Sequence, residues 1–197
     1  MLVLACAVLL GGCMPDREKQ IARNEALLRE EGIIALEAGN EAPAFSARGT
    51  NGTSLVIPEP ENGLAVNVLE HNVVLYFYPA DNTPNTTRQL KDLTKFSAML
   101  EENDMEIYGV NPGSEGEHQA YARKYSIEVP LLADVNGEIA VAYGCLAAGK
   151  QIPQRTLVGI DRNGRIAFFK RGYYTPQQIV AFFDQGAGSA NGAEASE

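Results

Sequence analysis

The stretch VVLYFYP at residues 73–79 runs directly into ADNTPNTT at residues 80–87, and this junction decides the fold of the chain. Residues 73–78 are β-branched, aliphatic or aromatic without polar alternation, which predicts a strand buried on both faces. The proline ends this run, because proline cannot donate a ladder hydrogen bond. Apolar residues then recur at helical spacing over residues 87–102. The sequence therefore predicts a buried strand, a tight turn and a helix in direct succession.

Strands and helices alternate along the rest of the chain. Residues 45–57 predict a hairpin that turns at Asn51 and Gly52. Further strands are expected at residues 105–110, 131–132, 156–160 and 166–169, and further helices at residues 115–125, 138–143 and 176–183. The order β-α-β-α followed by β-β-α predicts an α/β fold with a mixed central sheet flanked by helices.

Composition and charge narrow the classes of function. A chain of 197 residues, of which 45% are hydrophobic, fits one domain of ordinary size with terminal extensions. The formal net charge of −9 argues against a nucleic-acid partner, because backbone phosphates require basic surfaces. His71 and His118 lie far apart in sequence without metal-ligand spacing, so both are expected at the surface. We therefore expect neither a metal nor another cofactor.

The N-terminus has the anatomy of an export signal. Residues 2–10 are almost entirely apolar but too short to span a bilayer as a helix, which takes about 20 residues. Leu10 to Cys13 resembles a bacterial lipobox, whose cysteine is acylated after cleavage. We interpret residues 1–13 as a signal peptide with lipobox and Cys13 as the lipidation site. The protein would then be lipid-anchored in the bacterial cell envelope, facing the periplasm or the exterior, unless the segment is an unprocessed apolar stretch with incidental cysteines.

Three segments follow this signal. Residues 14–38 are charged with loosely helical spacing, which predicts either a spacer that lifts the domain off the membrane or a peripheral helix packed on it. Residues 39–185 contain the predicted strands and helices and form the globular domain. Residues 186–197 are dominated by glycine, alanine, serine and glutamate, and they predict a disordered tail because they offer too little apolar surface to order themselves.

Three parts of the domain resemble the peroxiredoxins, above all the bacterioferritin comigratory (peroxiredoxin Q-like) group. They are APAF at residues 42–45, YFYPADNTP at residues 76–84 and QRTLVGIDRNGRI at residues 154–166, within a resemblance that covers residues 39–183. The resemblance implies a thioredoxin-like fold, which agrees with the predicted order of strands and helices. It also implies thioredoxin-dependent reduction of hydroperoxides as the activity of the family.

The resemblance also implies which residues form the site. The family motif Pro-x-x-x-Thr-x-x-Cys matches Pro79 and Thr83, and the active-site arginine of the family matches Arg155. Thr86 stands where the family carries its peroxide-attacking cysteine, and Lys91 stands where many members carry a resolving cysteine. A threonine hydroxyl is a weak nucleophile without a base and has no sulfenic-acid equivalent. Both halves of the family's redox couple are therefore absent.

The matched residues also have purely structural interpretations. Thr86 begins a Thr-x-x-Gln sequence, which is the pattern of a helix capping box. Thr83 precedes a proline and suits a turn as well as it suits a pocket. Arg155 could pair at the surface with Asp81 or Asp161 instead of facing the pocket.

Cys145 is the remaining thiol once Cys6 leaves with the signal and Cys13 is acylated. Unpaired cysteine is among the most buried residue types, which favours a structural cysteine in the core. The alternative is a relocated reactive thiol that faces Arg155.

Pro79, Thr83 and Arg155 match the family, but Thr86 replaces its cysteine. This combination favours the hypothesis that the chain is a peroxiredoxin-like envelope lipoprotein without peroxidase activity. Such a chain would serve as a binding or assembly module, with a pocket of anion or peroxide size near Arg155. Its expected partners are a membrane surface, another envelope protein or a thioredoxin-like reductant. The alternative is an active antioxidant peroxidase or thiol-disulfide oxidoreductase that works through Cys145. The sequence alone leaves open whether the chain is an enzyme.

Overall fold

The computed structural model describes residues 36–59, 69–146 and 152–190. The predicted signal peptide, its lipobox and nearly all of the predicted spacer lie outside the described residues, as does the chain from residue 191 onward. These assignments stay predictions. The predicted domain, residues 39–185, is described apart from the two internal gaps.

The described chain follows the predicted alternation of strands and helices. Its strands are β1 Phe45–Arg48, β2 Ser54–Ile57, β3 Asn72–Phe77, β4 Met105–Asn111, β5 Leu131–Ala133, β6 Thr156–Ile160 and β7 Ile166–Arg171. Its helices are α1 Pro84–Lys95, α2 Ser97–Glu102, α3 Glu115–Tyr125, α4 Glu138–Ala142 and α5 Pro176–Ala190. The predicted hairpin is confirmed, because β1 and β2 pair antiparallel around a short 3-10 turn at Thr50–Gly52.

The central sheet has the strand order β5-β4-β3-β6-β7 within the described residues. Strands β3, β4 and β5 run parallel, whereas β6 and β7 are antiparallel to their neighbours. Strand β3 lies in the middle, and its residues from Val73 to Phe77 are at most 2% exposed. The continuous apolar run therefore forms a strand buried on both faces, as predicted, and the thioredoxin-like α/β class is confirmed.

Successive side chains of β3 enter two separate cores, because side chains alternate across a strand. Leu75 and Phe77 pack into one core together with Tyr143, Cys145 and Val158. Tyr76, Val74 and Tyr78 pack into the opposite core. They share it with residues from α1, α3, α5 and β6, namely Leu90, Leu93, Tyr121, Ile179, Phe183 and Leu157. The sheet thus separates Cys145 from the side chains beneath α1.

Two predicted helix boundaries were wrong. The helix expected over residues 87–102 begins three residues earlier, at Pro84, and is interrupted at Phe96, whose φ of −108° and ψ of 17° leave the helical region. Proline suits the first helical position, because its missing N–H has no partner there in any helix. The tail predicted from residue 186 is helical up to residue 190, because α5 continues that far. Extending an existing helix is easier than starting one, because each added residue gains a backbone hydrogen bond without a new nucleation step.

Among the described residues, no helix combines the length and the apolar character needed to cross a membrane. The same residues contain no group of three histidine, cysteine, aspartate or glutamate side chains arranged to hold a metal ion.

Candidate functional site

The loop between β3 and α1 carries the first part of the candidate site. The backbone N–H of Tyr78 still bonds the carbonyl of Val110 at 3.2 Å, and Pro79 then ends the pairing. Asn82 adopts a left-handed φ of 57°, which turns the chain into α1. Thr83 follows as the N-terminal cap of the helix, since its side-chain oxygen accepts a hydrogen bond from the backbone N–H of Thr86 at 3.3 Å.

The hydroxyl of Thr86 is the centre of the site. Thr86 is fully buried in the first turn of α1, and its Oγ1 accepts a hydrogen bond from the Thr83 hydroxyl at 2.8 Å. The same oxygen accepts a second bond from Nη2 of Arg155 at 3.3 Å. The capping box predicted to start at Thr86 is therefore wrong, because Thr83 holds the cap position. Thr83 both caps the helix and donates its hydroxyl to Thr86.

Arg155 is oriented by a second set of contacts that the sequence did not reveal. Its Nε donates to the hydroxyl of Tyr76 at 3.1 Å, and that hydroxyl donates to Oε1 of Gln89 at 2.6 Å. Burial raises the pKa of Tyr76 to about 12, against the opposing effect of the Arg155 charge, so Tyr76 stays a neutral phenol. A buried tyrosine usually finds a partner for its hydroxyl, and this rule was the available signal for Tyr76.

Arg155 points toward Thr86, and it forms neither of the alternative surface ion pairs with Asp81 or Asp161. Arg155 is half-buried and forms no ion pair with any carboxylate of the described residues. The Asp161 carboxylate instead accepts the backbone N–H groups of Asn163 and Arg165, both at 2.9 Å. The guanidinium therefore brings an uncompensated positive charge to the Thr86 hydroxyl.

Asp81 is engaged on the far side of the loop, where it contacts a histidine that was expected at the surface. That expectation was wrong for His118, which is fully buried in α3 with its Nδ1 2.8 Å from Oδ2 of Asp81. His71 is partly exposed, as expected, with its Nδ1 2.6 Å from Oδ1 of Asp104. Burial of His118 could not be predicted because its partner lies 37 positions away in the sequence.

Cys145 lies in the core on the opposite face of the sheet from Thr86 and Arg155. It is fully buried, and its Sγ donates to the carbonyl oxygen of Tyr143 at 3.3 Å. Burial raises the pKa of the thiol to about 12, so the reactive thiolate is scarce at neutral pH. The burial expected of a structural cysteine is confirmed, and the alternative of a thiol facing Arg155 is wrong.

Lys91, at the position of the resolving cysteine in many peroxiredoxins, is exposed on α1. Its Nζ lies 5.9 Å from the centre of the Tyr125 ring, and it borders a surface cleft of about 430 Å³. Neither Thr86 nor Arg155 lines this cleft. Lys91 therefore lies outside the hydrogen-bonded group of Thr83, Thr86 and Arg155.

Comparison with known proteins identifies the family of the chain. The model of the AhpC/TSA family matches residues 38–169. The "Putative peroxiredoxin bcp" of Helicobacter pylori (strain J99 / ATCC 700824) is 31% identical over 131 residues, which cover 66% of this chain and 77% of the relative. The chloroplastic peroxiredoxin Q of Sedum lineare is 25% identical over 157 residues, which cover 79% of this chain and 80% of the relative.

Solved structures give the same fold. The crystal structure of peroxidoxin BcpB from Mycobacterium tuberculosis is similar with a TM-score of 0.60 and 21% identity, and it covers 81% of this chain and 99% of that chain. Enterococcus faecalis AhpC has a TM-score of 0.66 and 21% identity, covering 83% of this chain and 100% of that chain. The family match, these relatives and the shared fold lead to one conclusion. The chain belongs to the AhpC/TSA family, and within that family it is a peroxiredoxin of the bacterioferritin comigratory and peroxiredoxin Q type.

Proposed function

We propose that this chain is a peroxiredoxin-family binding module without cysteine-dependent peroxidase activity. Its pocket at Thr83, Thr86 and Arg155 would bind a small polar ligand, either a hydroperoxide or an anion of similar size. One observation carries the proposal: the Thr86 hydroxyl accepts hydrogen bonds from Thr83 at 2.8 Å and from Arg155 at 3.3 Å. The family resemblance predicts the nucleophile at this position. The two hydrogen-bond donors, Thr83 and Arg155, are present, but residue 86 carries an oxygen instead of the sulfur that the family uses.

The chemistry of oxygen and sulfur explains the loss of activity. A thiolate reduces a hydroperoxide by attacking its terminal oxygen, so that an S–O bond forms, the O–O bond breaks and the departing alkoxide takes up a proton. Sulfur becomes a sulfenic acid, which thiols reduce back to the starting thiol. A threonine hydroxyl has no corresponding oxidised state and stays protonated at neutral pH. Thr86 can therefore contact a peroxide without reducing it.

The groups around the pocket favour a ligand that accepts hydrogen bonds. Arg155 supplies a guanidinium with five N–H donors, and its bonds to Tyr76 and Thr86 engage two of them. Gln89 is 1% exposed, and its Nε2 has no hydrogen-bond partner among the described residues. The first turn of α1 adds the positive end of a helix dipole. A donor-rich pocket with uncompensated positive charge suits peroxide oxygens, carboxylates or inorganic anions.

Assays with the unmodified chain test the proposal. Purified protein is incubated with hydrogen peroxide or an organic hydroperoxide, with thioredoxin or dithiothreitol as reductant. We expect peroxide loss no faster than with the heat-denatured protein, because no thiolate faces the pocket. Turnover clearly above that control would contradict the proposal.

The same experiment tests the alternative of an enzyme that works through Cys145. Mass spectrometry after a peroxide pulse should show Cys145 unoxidised, since the thiol is fully buried on the other face of the sheet. Rapid formation of a sulfenic acid on Cys145 would support an enzyme that works through this thiol and contradict the proposal.

We further propose that the module is lipid-anchored through Cys13 in the bacterial envelope and binds another envelope protein there. The support is the sequence of residues 1–13 and the charged segment that follows. A thioredoxin-like reductant remains the alternative partner, as expected for the redox-active members of the family. The net charge of −9 supports partners other than nucleic acid.

Labelling with a clickable fatty acid tests the anchor. In a bacterial host that processes lipoproteins, the unmodified chain should acquire the label and sediment with membranes. Cys13→Ala should abolish both, because it removes the acylated sulfur, whereas Cys145→Ala should leave both unchanged. Equal labelling of the unmodified chain and the Cys13→Ala variant would contradict the anchor.

A further inference from the structure

The carboxylate of Asp81 joins four parts of the fold at a single point beside the candidate site. Its Oδ1 accepts hydrogen bonds from the hydroxyl of Tyr78 at 2.9 Å and from Nδ2 of Asn111 at 3.0 Å. Its Oδ2 lies 2.8 Å from Nδ1 of His118. The three donors come from the end of β3, the end of β4 and helix α3, whereas Asp81 itself belongs to the loop that leads to Thr83.

The contact with Asp81 is the hydrogen bond that the structure shows for the His118 ring. The ring is fully buried, and its Nε2 has no hydrogen-bond partner among the described residues. A carboxylate accepts hydrogen bonds and does not donate them, so the contact assigns a proton to Nδ1, which donates it to Asp81. The close packing of Gly113 against the ring, where an added Cβ would lie 2.6 Å from Cε1, keeps the imidazole in place.

The loop from Pro79 to Asn82 lies outside the sheet pairing. Sheet pairing stops at Tyr78, and Asn82 adopts the left-handed conformation that is uncommon for a residue with a side chain. The position of Thr83 must nevertheless be well defined, since one hydroxyl both caps α1 and donates to Thr86. An anchor two residues before Thr83 supplies this constraint.

We propose that Asp81, Asn111 and His118 form a loop clamp that holds the Thr83 hydroxyl in the position where it meets Thr86 and a bound ligand. These three are positioning residues, since they act on the pocket through Thr83. The inference rests on the proposed function only for the ligand. The claim about the geometry of the loop stands on the contacts of Asp81 alone.

Amide hydrogen exchange in the otherwise unmodified chain tests the clamp without any ligand. The N–H of Thr86 bonds Oγ1 of Thr83, and the N–H of Thr87 bonds the Thr83 carbonyl oxygen at 2.9 Å, so both report on the position of Thr83. His118→Leu removes the donor to Asp81 and should accelerate exchange at both amides by about tenfold, the factor of one lost hydrogen bond. The amide of Leu75 in the central strand should keep its rate.

His118→Asn is the matched control, because its side-chain amide nitrogen can take the place of Nδ1 and donate to Asp81. It should restore slow exchange at Thr86 and Thr87. If His118→Leu loosens the whole fold, Tyr78→Phe provides the second test, since it removes one donor to Asp81 and keeps the buried ring. Unchanged exchange at Thr86 in both His118→Leu and Tyr78→Phe would overturn the clamp.

Reactivity at position 86 separates the clamp from the proposed function. In a Thr86→Cys background, adding His118→Leu should slow peroxide reduction by about tenfold, and His118→Asn should recover most of the rate. If the unmodified chain consumes peroxide clearly faster than the heat-denatured control while exchange responds as expected, the proposed function fails and the clamp stands. If Thr86→Cys reacts quickly and His118→Leu changes neither rate nor exchange, the clamp fails and the proposed function stands.

Discussion

Thr86→Cys should convert this chain into a peroxide-consuming protein, with hydrogen peroxide and dithiothreitol turned over about a hundredfold faster than by the unmodified chain. The substitution places sulfur where Oγ1 now accepts hydrogen bonds from Thr83 and Arg155. A helix N-terminus and a nearby guanidinium both favour the thiolate, which is the form that attacks peroxide. Cysteine lacks the methyl group of threonine, which leaves room for a sulfur atom that is larger than the oxygen it replaces. The buried position should therefore accept the substitution. The rate is measured by following peroxide loss at neutral pH.

Two variants control this experiment. Thr87→Cys introduces a thiol at the next position of α1, where the native hydroxyl lies 2.9 Å from the Tyr121 hydroxyl and outside the Arg155 contact. Thr86→Ser keeps a hydroxyl in the pocket without sulfur. Both should stay near the rate of the unmodified chain. Equal activity of Thr86→Cys and Thr87→Cys would show that any thiol on this helix suffices and that the pocket contributes nothing.

Removing the guanidinium in the Thr86→Cys background should raise the pKa of the introduced thiol and lower the rate at neutral pH. A nearby positive charge stabilises the thiolate, so Arg155→Met destabilises that form and moves the activity profile to higher pH. Each unit of pKa increase removes about nine-tenths of the thiolate at a pH below both pKa values. The thiolate is followed by its ultraviolet absorbance during a pH titration. Cys145 should not interfere, because burial raises its pKa to about 12.

Arg88→Met is the matched control for this titration. Arg88 also lies on α1, but it is exposed and its guanidinium carbon sits 5.9 Å from the centre of the Tyr173 ring. Exposed charges are well screened by water and salt, so the pKa of the thiol should hardly move. Equal pKa increases in Arg155→Met and Arg88→Met would mean that general charge, and not the contact at position 86, governs the thiol.

The fold was predictable because its strongest signals are local. The unbroken apolar run from Val73 to Tyr78 has the composition of a central strand, and β3 is buried accordingly. Helix α3 was predicted with the same bounds that the structure has. The structure also shows a local capping box at its start, in which Ser114 and Glu117 bond each other's backbone N–H. Where several local signals agree, the local sequence largely determines the bounds of a helix or strand.

The start of α1 shows why local signals fail when two of them compete. Both Thr83 and Thr86 offer a hydroxyl three residues before a polar residue, and either could cap a helix. Proline at position 84 decides between them, because it fits the first helical position and would disrupt a later one. Pro84 therefore indicated the correct cap, but the Thr-x-x-Gln pattern at Thr86 led to the wrong one.

The site itself was only partly readable. Pro79, Thr83 and Arg155 could be placed through the family resemblance, and Arg155 does reach Thr86. The contacts that orient them were not predictable, because each joins residues far apart in the chain. Tyr76 and Arg155 are separated by 79 positions, and Asp81 and His118 by 37. Such pairs leave no periodic or spacing signal, and only the folded sheet brings them together.

A single exposure to peroxide shows most directly whether the reactive position is residue 86 or Cys145, because the oxidised sulfur can be located. The Thr86→Cys chain is treated with one equivalent of hydrogen peroxide in the presence of dimedone, which traps sulfenic acids, and the digest is analysed by mass spectrometry. We predict the adduct on the peptide that contains position 86 and an unmodified Cys145. An adduct on Cys145 with none at position 86 would contradict a retained peroxiredoxin pocket that lacks only its sulfur.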